Sequence, residues 1–243
     1  MESTHARTAV VLQPSYIPWR GYFDLIQRAD VFVFYDDVQY DKHGWRNRNR
    51  IKTASGPRWL TIPVLSKGNI DNNLLIQEVM CDARFDWRHK HLEQIRHAYR
   101  KAPYFKETFS FLNELFASAP TDRLAEFTIF TTIAIAERLG LTGSFARSSE
   151  LGVTGSKNDR LLQTLASVQA THYISGPSAK AYISAEAFAA AKIDLEYAHY
   201  DYEPYEQLHP PYEPQVSIID LLFMQGSNAA AHLESRVQHA TAV

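Results

Sequence analysis

The chain has 243 residues, 45% hydrophobic and 21% charged, enough to bury a core as one domain or a domain with a lobe. Its formal net charge of −2 argues against a generally basic nucleic-acid binder, and its one cysteine, Cys81, excludes an internal disulfide and a cysteine-based zinc site. No apolar run reaches the roughly 18–20 residues of a membrane span, and the leading MESTHARTAV has no apolar signal core, so the expectation is a soluble protein of the cytoplasm.

In chain order, AVVL (residues 9–12) is a short continuous apolar run, as in a strand covered on both faces. GYFDLIQRAD follows with Tyr22, Leu25, Ile26 and Ala29 at helical spacing. VFVFYDD reads as a second strand and PRWLTIPVL as a third, with Pro63 marking an edge or a strand end. Strand, loop, helix and strand make a βαβ unit with a right-handed crossover. Between about Phe85 and Gly140, WRHKHLEQIRHAYRKA, PYFKETFSFLNELFASA and DRLAEFTIFTTIAIAERLG are three helical patterns punctuated by Pro and Gly. The α/β pattern then returns: SKNDRLLQTLASVQA as a helix capped by Ser156, THYISG as a strand, AEAFAAAKI as a helix and DLEYAHYDY as a strand. VSIIDLLFMQG is the last clear helix and stops at Gly226. The expected fold class is α/β and Rossmann-like: a mainly parallel sheet with helices on both faces and a helical insertion. Residues 8–82 form the N-terminal βαβ part, 83–150 the insertion and 151–230 the C-terminal α/β part.

Ligands of open α/β sheets bind beyond the carboxyl ends of strands, where loops lead into helix N-termini. The loop QPSYIPWRGYF sits there: Gln13 offers an amide, Tyr16 and Trp19 offer ring faces, and Gly21 permits close backbone approach. A rigid surface turn is the other use of the same residues. Further on, GWRNRNRIK sets Trp45 beside four cations, Arg46, Arg48, Arg50 and Lys52. Alternation on an extended segment puts the three arginines on one face and Asn47 and Asn49 opposite. Guanidinium forks match phosphate and carboxylate geometry, so the stretch reads as an anion clamp or, alternatively, a solvated basic turn.

Asp36 and Asp37 end the second strand; adjacent strand carboxylates face opposite ways, so at most one enters a given site, unless the pair only shapes a turn. His91 is a general-base candidate or a satisfied helix histidine, and no HExxH pattern exists. Ser175 and Gly176 lead from a strand into a helix, where they either cap it or hold an anion, and Lys157 with Asn158 opens another helix at the same mouth. Tyr200, Tyr202, Tyr205 and Tyr212, among four prolines, either line a pocket or brace the sheet against the last helix. Asp220, isolated on an apolar helix, needs a partner, which the basic stretch can supply.

QPSYIPWRGYFDLIQRADVFVFYDDVQYDKHGWRNRNRIK resembles the signature of the WbqC-like family. WLTIPV, SKNDRLL, YISGPSAKAY and YEPYEQLHPPYEPQVSIIDLLFMQG extend the resemblance over about residues 8–230. It implies a bacterial protein of cell-surface polysaccharide (O-antigen) or related biosynthesis, transferring an acyl or aminoacyl group, for example glycine to an amino sugar. More distantly, the opening segment is similar to adenylate-forming enzymes of the HIGH superfamily, with Pro18, Trp19, Gly21 and Tyr22 where their short motif falls and Tyr22 in place of its last histidine. That similarity implies nucleotide binding, with ATP and Mg as the cofactor such a site would take.

The function expected is an acyl- or aminoacyl-group transferase or amide-forming ligase acting on a nucleotide-linked or amino-sugar substrate. Its candidate catalytic residues are Asp36, Asp37, Tyr22 and His91. Gln13, Tyr16, Trp19, Gly21, Trp45, Asn47, Arg48, Asn49, Lys157, Ser175 and Gly176 are the candidate binding residues, with no metal ligand among them. The alternative is a non-catalytic module for a nucleotide, a nucleotide sugar or a tRNA end.

Overall fold

The computed structural model describes residues 6–65, 73–120 and 122–236. Strands β1 (Thr8–Leu12) and β2 (Val31–Phe34) flank helix α1 (Arg20–Arg28). A hairpin of β3 (Arg48–Thr53) and β4 (Gly56–Thr61) follows, then a short pair, β5 (Val64–Leu65) and β6 (Met80–Cys81). Three helices come next, α2 (Trp87–Tyr99), α3 (Phe105–Ser118) and α4 (Leu124–Arg138). The second α/β part runs β7 (Ser144–Arg147), α5 (Lys157–Ser167), β8 (His172–Ser175), α6 (Ala185–Ala190) and β9 (Asp194–Tyr197). A long loop then leads into α7 (Ile218–Gln225).

Five strands form one parallel sheet in the order β7-β2-β1-β8-β9. In chain order these are its third, second, first, fourth and fifth strands, the doubly wound Rossmann arrangement, whose order reverses between β1 and β8. The pleat sends alternate residues to opposite faces, and the core divides accordingly. Val10, Phe32, Phe34 and Ile174 join the larger cluster, with residues of α1 to α4 and α7. Ala9, Val11, Val31, Val33 and Tyr173 join the smaller one, with Leu165 of α5 and Phe188 of α6. Each fully buried Val or Phe of β2 contributes about 1.5–3 kcal/mol, and covering on both faces is what its unbroken apolar sequence requires.

Three local readings need correction. PRWLTIPVL is not one strand: β4 pairs antiparallel with β3 and β5 with β6, the two meeting around Pro63, which has no N–H for a ladder. The sheet's edge strand β7 falls within the stretch read as helical insertion. It carries only one large apolar residue, Phe145, and is half-exposed, so no alternation announces it. Ser156 occupies the N-cap position of α5 but its hydroxyl caps nothing, because Lys157 turns into the left-handed region (φ 52°). Among the described residues no helix is long and apolar enough to cross a membrane.

Candidate functional site

The loop after β1 runs inward before it reaches the surface. Tyr16 is fully buried among Trp87, His91, Phe116 and Phe127, so its ring presents no face to a ligand. Its hydroxyl donates to His91 Nδ1 at 2.8 Å, and the imidazole in turn donates to the Thr61 carbonyl. His91 is therefore a core histidine that ties α2 to the β1 loop and β4. Burial lowers its pKa to about 4. Because the folded value lies below the unfolded one, near 6.5, the neutral ring stabilises the fold above pH 6.5 and that contribution is lost on acidification towards pH 4. The loss should reach about 3 kcal/mol, seen as a slope in urea-unfolding free energy that flattens in His91→Gln. An unchanged slope in that variant would remove His91 as its source.

The two asparagines expected opposite the arginines are staples as well. Asn47 Nδ2 donates to the Ile62 carbonyl, and Asn49 Nδ2 donates to the carbonyls of Tyr16 and Ile17, fastening the hairpin under the β1 loop. Gly21 packs beneath Trp19, whose ring would lie 2.4 Å from any Cβ placed there, so the glycine serves packing within α1.

At the carboxyl end of β1 the arrangement differs. Arg46 turns away from its neighbours and its Nη1 donates to Gln13 Oε1 at 2.7 Å. Its Nε is buried with no hydrogen-bond partner. Arg46 makes no ion pair among the described residues. Burial lowers its pKa, opposed by the Tyr22 phenol, Asp41 and Tyr40 around it. Tyr22 donates to the Gln13 carbonyl, and burial holds its phenol far above the ordinary range, so at neutral pH it is a hydrogen-bond donor and not a base. A desolvated cation with an unsatisfied N–H is costly unless an anion completes it.

Arg48 and Arg50 do not share that place. Arg48 donates to the carbonyls of Gly44 and His43 and stacks 4.6 Å from the Trp59 ring. Arg50 donates to Gln215 and pairs with Glu213 at 3.6 Å. Trp45 and Trp59, each about two-fifths exposed, lie 5.1 Å apart beside these arginines. The three-arginine clamp expected from strand alternation is thus divided, because β3 begins only at Arg48 and Arg46 precedes the pleat.

Asp36 and Asp37 also lie beyond their strand, where the alternation rule no longer applies, and both carboxylates converge on Ser148 Oγ. Asp36, fully buried, accepts further from Arg147 Nε at 2.8 Å and from the backbone and hydroxyl of Ser149. Asp37 pairs with Arg160 of α5. The cluster locks the end of β2 to the end of β7. Arg147, Ser148, Ser149 and Arg160 carry no sequence signal, since their partners lie over 100 residues away.

On the other side of β1, Trp19 packs edge-on against Tyr200, 5.0 Å between centroids, and the Tyr200 hydroxyl lies 3.8 Å from where a Gly176 Cβ would stand. Aromatic side chains therefore join the β1 and β8 loops at the switch point. Ser175 is buried, its carbonyl accepting from Ala198 N, while Lys157 is exposed at the start of α5. The tyrosine-rich loop acts as a brace: Tyr202 donates to Asp24 of α1, Tyr205 to Asp220 of α7, and Arg20 to Tyr212. Asp220 takes hydrogen bonds from Tyr99, Tyr205 and Gln207 in place of an ion pair, and burial raises its pKa. No three His, Cys, Asp or Glu side chains gather as a metal ion needs among the described residues.

The strand order and the Arg46 cation held by Gln13 without an ion pair define a Rossmann-ordered α/β protein with a candidate anion site on the carboxyl edge of its sheet. The chain belongs to the WbqC-like protein family, matching it over residues 13–232. It is 38% identical over 228 residues to an uncharacterized protein, Rv1507c, of Mycobacterium tuberculosis, covering 93% of this chain and 97% of that one. No solved structure matches it.

Proposed function

We propose that the protein holds a phosphate-bearing, nucleotide-linked substrate over the carboxyl ends of β1 and β2. On this reading it is an acyl- or aminoacyl-group transferase of bacterial surface-polysaccharide or related biosynthesis. The observation that carries the reading is Arg46, a half-buried guanidinium whose buried Nε–H is unused, aimed by Gln13 and neighboured by the phenols of Tyr22 and Tyr40 and by Asp41. A phosphate oxygen is the guest that repays its desolvation. The exposed Trp45–Trp59 pair offers a flat surface nearby in the same chain segment. Catalysis would rest on positioning and on electrostatic stabilisation by Arg46.

A second reading, a non-catalytic binding module, is favoured by one observation: Asp36, Asp37 and His91 are each engaged in internal hydrogen bonds. Thermal melting with ATP, a UDP-amino sugar or an acyl-CoA separates the possibilities. At about a hundred times Kd, a true ligand adds about 2.7 kcal/mol and raises Tm by roughly 5–10 °C. Stabilisation by the UDP-amino sugar with acyl transfer detected by mass spectrometry supports the enzyme; stabilisation without turnover supports the module. No shift with any of the three overturns the anion site.

A further inference from the structure

A groove of about 870 Å³ lies between the β3–β4 turn and the exposed face of α2, and neither Arg46 nor Gln13 lines it. Its walls carry four fixed cations, Arg58, Lys90, Arg100 and Lys101. All four are exposed, and none makes an ion pair among the described residues. His89, His97 and His209 line the groove too. Its one acid, Glu93, is taken up by Arg96. In a chain of net charge −2 this is a marked segregation of charge.

Folding accounts for part of this stripe and not for the rest. Arg100 and Lys101 follow the C-terminus of α2, where cations complement the helix dipole. Lys90 stands in the first turn, where the dipole opposes it, and Arg58 stands on the hairpin. Positions 90, 93–94, 97 and 100–101 recur at helical spacing, so they form one continuous row along α2. From Lys90 to Arg100 the row is about 15 Å long at 1.5 Å per residue. That length spans about four phosphates of a nucleic-acid strand, which follow one another at 3.4 Å along the duplex axis.

We propose that this groove binds the phosphodiester backbone of a nucleic acid, without reading sequence. No Phe, Tyr or Trp lines it among the described residues, so it lacks the large ring faces on which bases stack and contacts chiefly phosphate. The site is separate from the Arg46 anion site and does not depend on it.

The test is fluorescence anisotropy with a short labelled DNA duplex and, as a competitor, inorganic tripolyphosphate. Four phosphate contacts predict a slope of log affinity against log salt of about −3 to −4, that is, about 100-fold weaker binding between 50 and 200 mM salt. The triple variant Lys90→Ala, Arg100→Ala, Lys101→Ala should flatten the slope to about −1 and leave the melting temperature in place, because all three side chains are exposed. Arg46→Met should bind the duplex as wild type does. Absence of binding at 50 mM salt, a slope untouched by the triple variant, or tripolyphosphate displacing the duplex at equal concentration would each overturn the proposal, the last by assigning the groove to a small polyphosphate.

Discussion

Replacing Arg46 with methionine is expected to weaken binding of the phosphate-bearing ligand by about 10- to 150-fold while leaving the fold as stable as before, or more so. The affinity loss corresponds to one charge-assisted hydrogen bond, about 1.5–3 kcal/mol. The stability result follows from the lack of a direct ion pair among the described residues. The Arg46 Nε is buried and unsatisfied, its side chain bonds only Gln13 among the described residues, and Asp41 acts on it without forming an ion pair, so the folded state bears a desolvation cost that is offset only in part. Methionine keeps most of the volume without the charge. An arginine serving the fold alone would give the opposite pair of outcomes, lower stability with unchanged affinity, and titration calorimetry beside a urea melt tells them apart.

Asp36→Ala should be the most damaging single change at the carboxyl edge. The fully buried carboxylate accepts from Arg147, Ser148 and Ser149; its removal takes the acceptor from the Ser149 N–H and hydroxyl, leaves Ser148 with Asp37 alone and leaves Arg147 to the more exposed Glu126. Removing one partner of a buried pair costs about 3–5 kcal/mol. For a chain of this size that is a fall in Tm of roughly 6–20 °C. A loss below about 1 kcal/mol in the single variant would mean that the cluster is not what joins β2 to β7, and would free Asp36 for a chemical role.

These two residues also show where sequence reading stops. VFVF could be read as a strand covered on both faces because its residue types alone demand that environment, and β1, α1 and β8 were legible for the same reason: periodicity is a local property. The likeness of the opening segment to the WbqC-like family was legible too, since motif residues are fixed in order along the chain. The charge of the site was visible as GWRNRNRIK, but its division was not. Whether an arginine meets an acid depends on partners such as Glu213 for Arg50, and on where the strand starts, at Arg48. Tyr16 and His91 show the same limit: both carry chemistry-bearing groups, and only the packing of α2 against the β1 loop decided that they would satisfy each other in the core. The sequence by itself determined the doubly wound layering, through hydrophobic patterning that each element carries internally. Only the packed chain settles which charged groups are paired and that Arg46 is among those left without an ion pair in the described residues, because burial and counter-charge are properties of neighbours that the chain brings together from over 100 residues apart.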